Sequence, residues 1–325
     1  MEKLFVCDEI EPLMRAFTPE QRAESLVLTT QQLRDGGPRP SVKWLFSTWG
    51  MAQLTENEIG TLLPNLQAVF YGAGTVQYFA RPFLKSGVRV FSAWAANVVP
   101  VAEFTLAQIL LSNKGFFQLS RRYRRDGYEK AAAFGDHFDG NYGARVGLLG
   151  AGMIGKKVIE LLRPFRVEIW VYDPFLPEEE AKRLGVRKVE LEPLFAGCQV
   201  VSNHLANNAQ TRGMLNYHLF SQMGPYATFI NTGRGAQVVV DDLVRAMREE
   251  PGRTALLDVT DPQEPLPADS PLWQCENILI TPHRAGSQQK EVFRMGETVY
   301  TQYENLLAGR PVQYEVTEAM LRTMA

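Results

Sequence analysis

The 325-residue sequence predicts an α/β protein made of two doubly wound parallel-sheet domains. Three observations predict it. Short β-rich runs alternate with helical patterns almost throughout the chain. The runs have little polar alternation, as expected of strands covered on both faces. And they come in two series, parted by a long helical pattern and a polar loop.

Taken in order, the first series is "KLFVC", "SLVLT", "VKWLFST", "LQAVFYG" and "VRVFSA". Helices are expected between them at 50–63, which carries "TENEIGTLL", and at 75–86. One helical pattern then runs over 102–125 through "AEFTLAQILLSNKGFFQLSRRYRR". The polar, glycine-bearing stretch "AAFGDHFDGNYG" reads as a loop. The second series is "RVGLLG", "VEIWVYD", "QVVSNHL", "ATFINTG", "ALLDV" and "NILIT". A helix near 288–308 and the tail "GRPVQYEV" follow.

Composition narrows the class. At 45% hydrophobic and 22% charged, the chain can bury two ordinary cores. With 34 basic and 36 acidic residues, it shows no electrostatic preference for nucleic acid or an anionic membrane. Cys7, Cys198 and Cys275 form no CxxC pair and no metal-ligand spacing. Free cysteines in a reducing, cytoplasmic compartment and no metal site are therefore expected. The most apolar stretch, "VAEFTLAQILL", reads as too short to cross a bilayer and carries Glu103.

"VGLLGAGMIGKKVIELL" places Gly150, Gly152 and Gly155 in GxGxxG spacing, after an apolar strand and at the start of an amphipathic helix. The first glycine suits a tight turn, the second lets a pyrophosphate approach the backbone, and the third lets helix and strand pack closely. Asp173 ends the next strand, eighteen positions after Gly155, where an acid meets the adenosine ribose hydroxyls. A carboxylate there repels a 2′-phosphate, so NAD rather than NADP is the expected cofactor. Six strands also make one complete dinucleotide-binding sheet.

Hydride chemistry on a carbonyl needs a proton donor. Of four histidines, His137 lies in the polar loop and His218 in a helical pattern. His204 follows a strand and is a cofactor-side candidate. His283 follows the last strand behind Pro282, so it is the acid/base candidate. Arg234 follows another strand in "FINTGRGAQ", where a guanidinium can hold a carboxylate and polarise a carbonyl. The turn "DVTDPQEPLP" between them offers Asp258, Asp261 and Glu264. A carboxylate from that turn on the imidazole would fix its tautomer.

These segments resemble the D-isomer-specific 2-hydroxyacid dehydrogenases, the family of phosphoglycerate dehydrogenases and glyoxylate/hydroxypyruvate reductases. "YGARVGLLGAGMIGKKV" is similar to the family's cofactor loop, "NTGRGAQVVVDDLVRAM" to its arginine segment, "LLDVTDPQEPLPADSPLW" to its acid segment and "NILITPHRAGS" to its histidine segment. "FYGAGTVQYF" resembles its substrate-carboxylate loop, "ANVVPVAEFTLAQILL" its interdomain helix and "YENLLAGRPVQYEV" its ending. The resemblance implies a Rossmann-type NAD domain, 113–291, inserted into a flavodoxin-like substrate domain, 1–112 plus 292–325. It implies Arg234, Glu264 and His283 as catalytic residues. It implies pyrophosphate contacts from the Met153 and Ile154 N–H groups, further cofactor contacts from His204 and Thr232, and a nicotinamide carboxamide held by Asp258. The backbone at Gly72, Ala73 and Gly74 would cradle the substrate carboxylate, and Trp49, Tyr71 and Trp94 are candidates to line the pocket. A homodimer acting on a small 2-keto/2-hydroxy acid is implied as well.

Three positions depart from the family pattern. The usual offset of the acid falls on Gln263, and "EP" comes one residue later, so Glu264 is read as keeping the role, with Asp261 as its rival. Arg284 follows the histidine where an apolar residue is usual, and Ala206 and Asn208 replace the usual Pro and Thr. An NADH-sensing binding module on the same fold is the alternative to an enzyme.

Overall fold

The computed structural model describes residues 2–262 and 264–322. The chain divides into two compact units, Met1–Val98 with Ser287–Ala325, and Val99–Gly286.

The first unit begins β1 (Lys3–Val6), α1 (Ile10–Ala16), α2 (Pro19–Arg22), β2 (Leu26–Leu28), α3 (Thr30–Asp35), β3 (Trp44–Ser47), α4 (Glu56–Leu62), β4 (Ala68–Tyr71), α5 (Ala80–Lys85) and β5 (Arg89–Ser92). Register puts Phe5, Phe46, Phe70 and Phe91 side by side across β1, β3, β4 and β5. Their rings stack at centroid distances of 4.8, 5.1 and 5.1 Å, an aromatic ladder that opposes any slip of register. Thr18, Thr29 and Thr55 start α2, α3 and α4 with capping boxes.

Helix α6 (Trp94–Asn113) crosses the boundary between the units. It starts earlier than the sequence pattern indicated and stops at Gly115, whose backbone is left-handed (φ 65°). The expected single helix over 102–125 is therefore two, with α7 (Phe116–Asp126) beginning afresh. Apolar periodicity runs through the break, which is why the pattern concealed it. At 20 residues α6 is long and apolar enough to cross a membrane, contrary to the shorter stretch read from sequence. Ala96 joins the core of the first unit, whereas Ala102 and Ile109 join a core of the second. This is why the units part at Val98–Val99 and Gly286–Ser287, earlier than the 112 and 292 boundaries expected.

The second unit continues with α8 (Tyr128–Gly135), whose last turn runs into the stretch expected as a loop, then β6 (Arg145–Leu149), α9 (Met153–Leu162), β7 (Glu168–Tyr172), α10 (Glu178–Leu184), β8 (Arg187–Lys188), α11 (Leu191–Gly197), β9 (Val200–Asn203), α12 (Tyr217–Ser221), β10 (Thr228–Asn231), α13 (Val240–Glu249), β11 (Thr254–Leu257) and β12 (Ile278–Ile280). The sheet is parallel, in the order β12-β11-β10-β9-β6-β7-β8; β8 adds a short edge strand to the six expected. Strand order reverses between β6 and β9, which opens a crevice at their carboxyl ends.

The chain then returns to the first unit with α14 (Lys290–Leu307) and β13 (Glu315–Val316). A Cβ on Gly296 would stand 1.7 Å from the Ala16 carbonyl oxygen, so α14 lies hard against the end of α1. Strand β13 pairs antiparallel to β5, completing the order β13-β5-β4-β3-β1-β2.

Candidate active site

The turn after β6 occupies the mouth of that crevice. Gly150 has φ 93° and a Cβ there would stand 2.9 Å from the His204 carbonyl oxygen. A Cβ on Gly155 would stand 2.1 Å from the Gly150 carbonyl oxygen. Both positions therefore exclude a side chain. Gly152 is different: a Cβ there meets nothing within 4 Å. Gly152 starts α9 with no side-chain cap, so the first N–H groups, those of Met153 and Ile154, are left for an outside acceptor. Asp173 closes the turn: its Oδ2 accepts from the Ala151 N–H (2.8 Å) and its Oδ1 from the Phe175 N–H (2.8 Å). Each oxygen keeps lone-pair capacity for a diol. The site thus fits an anionic dinucleotide.

His204, at the exit of β9, is buried. Its Nε2 meets Ser202 Oγ at 2.9 Å, and its Nδ1 has no partner among the described residues. Burial pushes its pKa down to about 4, so the ring is neutral near pH 7. Asn203, Asn231 and Gln237 form a buried amide network beside it. Asn203 Nδ2 donates to Asn231 Oδ1 (3.0 Å) and Gln237 Oε1 (2.6 Å), and Gln237 Nε2 donates to the Leu205 and Ala206 carbonyls (2.9 and 3.0 Å). These bonds fix the loops after β9 and β10 to each other, Ala206 included. Thr232 is buried in the second loop, with its hydroxyl 3.3 Å from that of Thr105.

Arg234 projects from the loop after β10. Its Nη1 donates to the Gly233 carbonyl (2.8 Å), and no carboxylate pairs with it among the described residues. Burial depresses its pKa, and the charge of Glu264 works in the opposite direction. The following Gly235 is obligatory, because a Cβ would stand 2.1 Å from the Thr260 carbonyl carbon and oxygen. That contact sets the arginine loop directly on the proline turn.

In that turn Glu264 Oε1 accepts from the Thr260 N–H (3.2 Å), and Oε2 lies 2.7 Å from His283 Nδ1. Glu264, not Asp261, therefore meets the imidazole; Gln263 lies outside the described residues. His283 has φ 54°, a backbone conformation unusual for a non-glycine residue. Asp258 holds that conformation from beneath. Its Oδ1 accepts from Thr281 Oγ1 (2.6 Å) and the Arg284 N–H (2.7 Å), and its Oδ2 from the Ala285 N–H (2.8 Å). The Arg284 side chain is exposed. Sequence reasoning missed this clamp, as it missed the amide network, since both join residues far apart in the chain. His137 and His218 are exposed; His137 stacks on Tyr226 and His218 lies by Gln222.

In the first unit, Gly72, Ala73 and Gly74 form the loop after β4. Their carbonyls are all engaged: Gly72 by Thr48 Oγ1 (3.0 Å), Ala73 and Gly74 by Ser92 Oγ (2.8 and 2.7 Å). The N–H groups of Ala73 and Gly74 meet no acceptor among the described residues, so the loop presents donors without acceptors. Asn97, which sequence reasoning did not single out, takes the Ser287 N–H on its Oδ1 (2.9 Å), with its amide nitrogen near Gly74. Trp49 is partly buried against both cores of this unit. Tyr71 is a core residue, its hydroxyl 2.9 Å from that of Tyr78, and Trp94 packs edge-on against Tyr314.

The reversed strand order, the glycine turn and the acid at the end of β7 define a Rossmann-type dinucleotide-binding unit. Residues 106–285 match the family described as D-isomer specific 2-hydroxyacid dehydrogenase, NAD binding domain. The chain belongs to that family, and its cofactor is NAD. Relatives include a glyoxylate reductase of Korarchaeum cryptofilum, 31% identical over 254 residues, 77% of this chain and 75% of the relative. A D-3-phosphoglycerate dehydrogenase of Archaeoglobus fulgidus is 27% identical over 71% of this chain, which spans 43% of that relative. Against several such relatives, the chain thus spans about half their length or less. The NAD-complexed D-isomer specific 2-hydroxyacid dehydrogenase of Lactobacillus delbrueckii ssp. bulgaricus shares the fold. Its TM-score is 0.79 at 16% identity, over 98% of this chain and 100% of that one.

Proposed function

We propose that the chain is an NAD-dependent oxidoreductase that interconverts a small 2-keto acid and its D-2-hydroxy acid. The observation that carries the reading is Arg234: a largely desolvated guanidinium with one carbonyl contact, on the loop that packs against the His283–Glu264 turn. A cation in that state is set up for an anion.

Bound NAD(H) supplies hydride donor and acceptor capacity at its nicotinamide. The chain's own residues do the rest. The Met153 and Ile154 N–H groups hold the pyrophosphate, and Asp173 takes the ribose hydroxyls. Thr232 and His204 line the cofactor side, and Asp258 offers remaining lone-pair capacity to the carboxamide while clamping the His283 loop. The Ala73 and Gly74 N–H groups, with Gly72 beside them, receive the substrate carboxylate. Arg234 polarises the carbonyl and stabilises the developing alkoxide. His283 delivers the proton from Nε2, because Glu264 engages Nδ1 and so fixes which nitrogen faces the substrate. Trp49 borders the substrate side chain.

We also place the protein in the cytoplasm, where its three free, buried cysteines stay reduced. We read it as a homodimer that buries the exposed aromatics of the 116–142 segment, Phe116, Tyr123, Tyr128 and Tyr142. The test of function is NADH oxidation against a panel of 2-keto acids. Turnover of at least one, lost in His283→Ala with NADH binding retained, is expected. NADH binding without turnover of any keto acid would leave a binding module instead.

A further inference from the structure

The second unit contains three guanidinium groups whose pKa is depressed by burial: Arg234, Arg253 and Arg121. Arg253 is saturated. It donates to the carbonyls of Ser221, Met223, Gly224 and Ala246. Arg234 faces the proposed substrate. Arg121 fits neither case. Its Nη2 reaches Thr254 Oγ1 at 3.3 Å, its Nη1 is buried without a partner, and no carboxylate pairs with it among the described residues. A desolvated cation left this way destabilises the fold unless something else satisfies it.

Arg121 lines a cavity of about 200 Å³ at the amino ends of β11 and β12, the opposite end of the sheet from the glycine turn. Arg122, Arg125 and Arg248 line it too, with Glu276 as a carboxylate. Gln118, Arg121, Arg122 and Arg125 fall at helical spacing on one face of α7. Phe116 and Tyr123, seven residues apart, take the other face, so the cavity does not share the aromatic surface. Arg122 and Arg125 are engaged by Asp126, and Arg125 also by Glu276. Arg248 meets a neutral amide oxygen, Gln274 Oε1, at 2.9 Å. Arg121 and Arg248 are thus the two guanidiniums that make no ion pair among the described residues, although the charge of Glu276 partly offsets the burial of Arg121. Gln118 is 2% exposed, its Nε2 donates to the Tyr226 carbonyl (3.3 Å), and its Oε1, an acceptor, has no donor among the described residues.

We propose that this cavity is a binding site for a phosphoryl group, free or carried on a small metabolite, held by Arg121 and Arg248 with its hydroxyl donated to Gln118. A phosphate monoester or inorganic phosphate near neutral pH carries between one and two charges and offers several acceptor oxygens. It therefore matches two guanidiniums without ion pairs, whereas a single carboxylate matches one. A protonated phosphate oxygen, or an alcohol beside the phosphoryl group, also supplies the donor that Gln118 lacks. The site is independent of the proposed reaction: it lies at the far end of the strands and shares no residue with it.

The experiment is thermal unfolding of the full chain at constant ionic strength in chloride, sulfate, inorganic phosphate and glycerol phosphate. It is run on wild type, Arg121→Met, Arg121→Gln and Arg248→Gln. Wild type should gain a few degrees in tens of millimolar phosphate over chloride, and less in sulfate, which has no hydroxyl to donate. Both Arg121 variants should lose that gain, and Arg248→Gln, an exposed position, should weaken the phosphate midpoint about tenfold. A gain with glycerol phosphate alone assigns the site to a phosphate ester; a gain with both assigns it to the phosphoryl group itself. In chloride the Arg121 variants should melt no lower than wild type, since they remove a desolvated charge. The proposal is overturned if neither phosphate nor glycerol phosphate stabilises wild type, if the Arg121 variants keep the gain, or if both melt several degrees lower in chloride.

Discussion

At the amino end of the second sheet, Arg253 gives its guanidinium to the carbonyls of four residues where α12 and α13 finish. At the carboxyl end, Arg234 gives one N–H to Gly233 and holds the rest of its fork in a half-buried loop. Both are desolvated cations without a carboxylate partner among the described residues. The difference is whether the protein finishes the hydrogen bonding itself. Where it does, the arginine is part of the fold; where it does not, an anion from outside must. The same test singles out Arg121, so the comparison reaches beyond the proposed reaction.

The largest effect expected from this contrast is on turnover. Arg234→Ala should lower kcat/KM for the best keto acid by about a thousandfold, or ~4 kcal/mol, while NADH affinity and melting temperature stay near wild type. Arg234→Lys should restore little, because a point charge lacks the planar fork. Steady-state kinetics with NADH fluorescence titration checks both. A destabilised Arg234→Ala with normal kcat would move Arg234 to the side of Arg253.

Arg253→Met is the mirror experiment. It strands the four carbonyls and should cost about 3 kcal/mol in urea unfolding, with kcat and NADH affinity unchanged in the protein that remains folded. Stability at wild-type level would break the distinction between a saturated and an unsaturated buried arginine.

How much of this the sequence revealed follows from chain distance. The glycine turn was legible because its constraints are local: a backbone turn, a close helix and an acid one strand later. The placement of Arg234 and His283 at one end of the sheet was legible because exits from parallel strands share that end. The pairing of Glu264 with His283 was narrowed to two carboxylates and no further, since a proline-rich turn does not declare which side chain it aims. The clamp of Asp258 on the His283 loop, the Asn203–Asn231–Gln237 network and the partners of Arg253 and Arg121 left no local pattern. Their partners lie on other strands. The break at Gly115 was hidden for the opposite reason: apolar periodicity continues across it, and only the left-handed residue interrupts the helix.

A smaller effect separates the two carboxylates of the proline turn. Glu264→Gln keeps a side chain of the same length but removes the charge beside Nδ1, so kcat should fall about ten- to a hundredfold. Asp261→Asn, with no bond to the imidazole, should change kcat less than about twofold. Equal effects from the two would mean that the turn acts as a diffuse field rather than through one contact.

The smallest effect is a matter of pH and comes from His204, which shares the carboxyl end with Arg234. Both are desolvated without a full set of partners among the described residues, but an imidazole can shed its proton and a guanidinium cannot. His204 has its pKa pushed down to about 4 by burial, against 6.5 for the free side chain. Between those values the unfolded chain binds a proton that the folded one refuses, so stability must fall as pH drops from 6.5 towards 4. The loss at pH 5 is about 1 kcal/mol after allowing for some relaxation around the ring. His204→Asn cannot titrate in this range. Its unfolding free energy, whatever its value at pH 7.5, should decline less steeply than that of wild type in urea melts taken between pH 7.5 and 5. Parallel declines would mean that the ring finds a partner or water once charged. Unpartnered groups at this end of the sheet would then be cheaper to charge than the contrast between Arg234 and Arg253 requires.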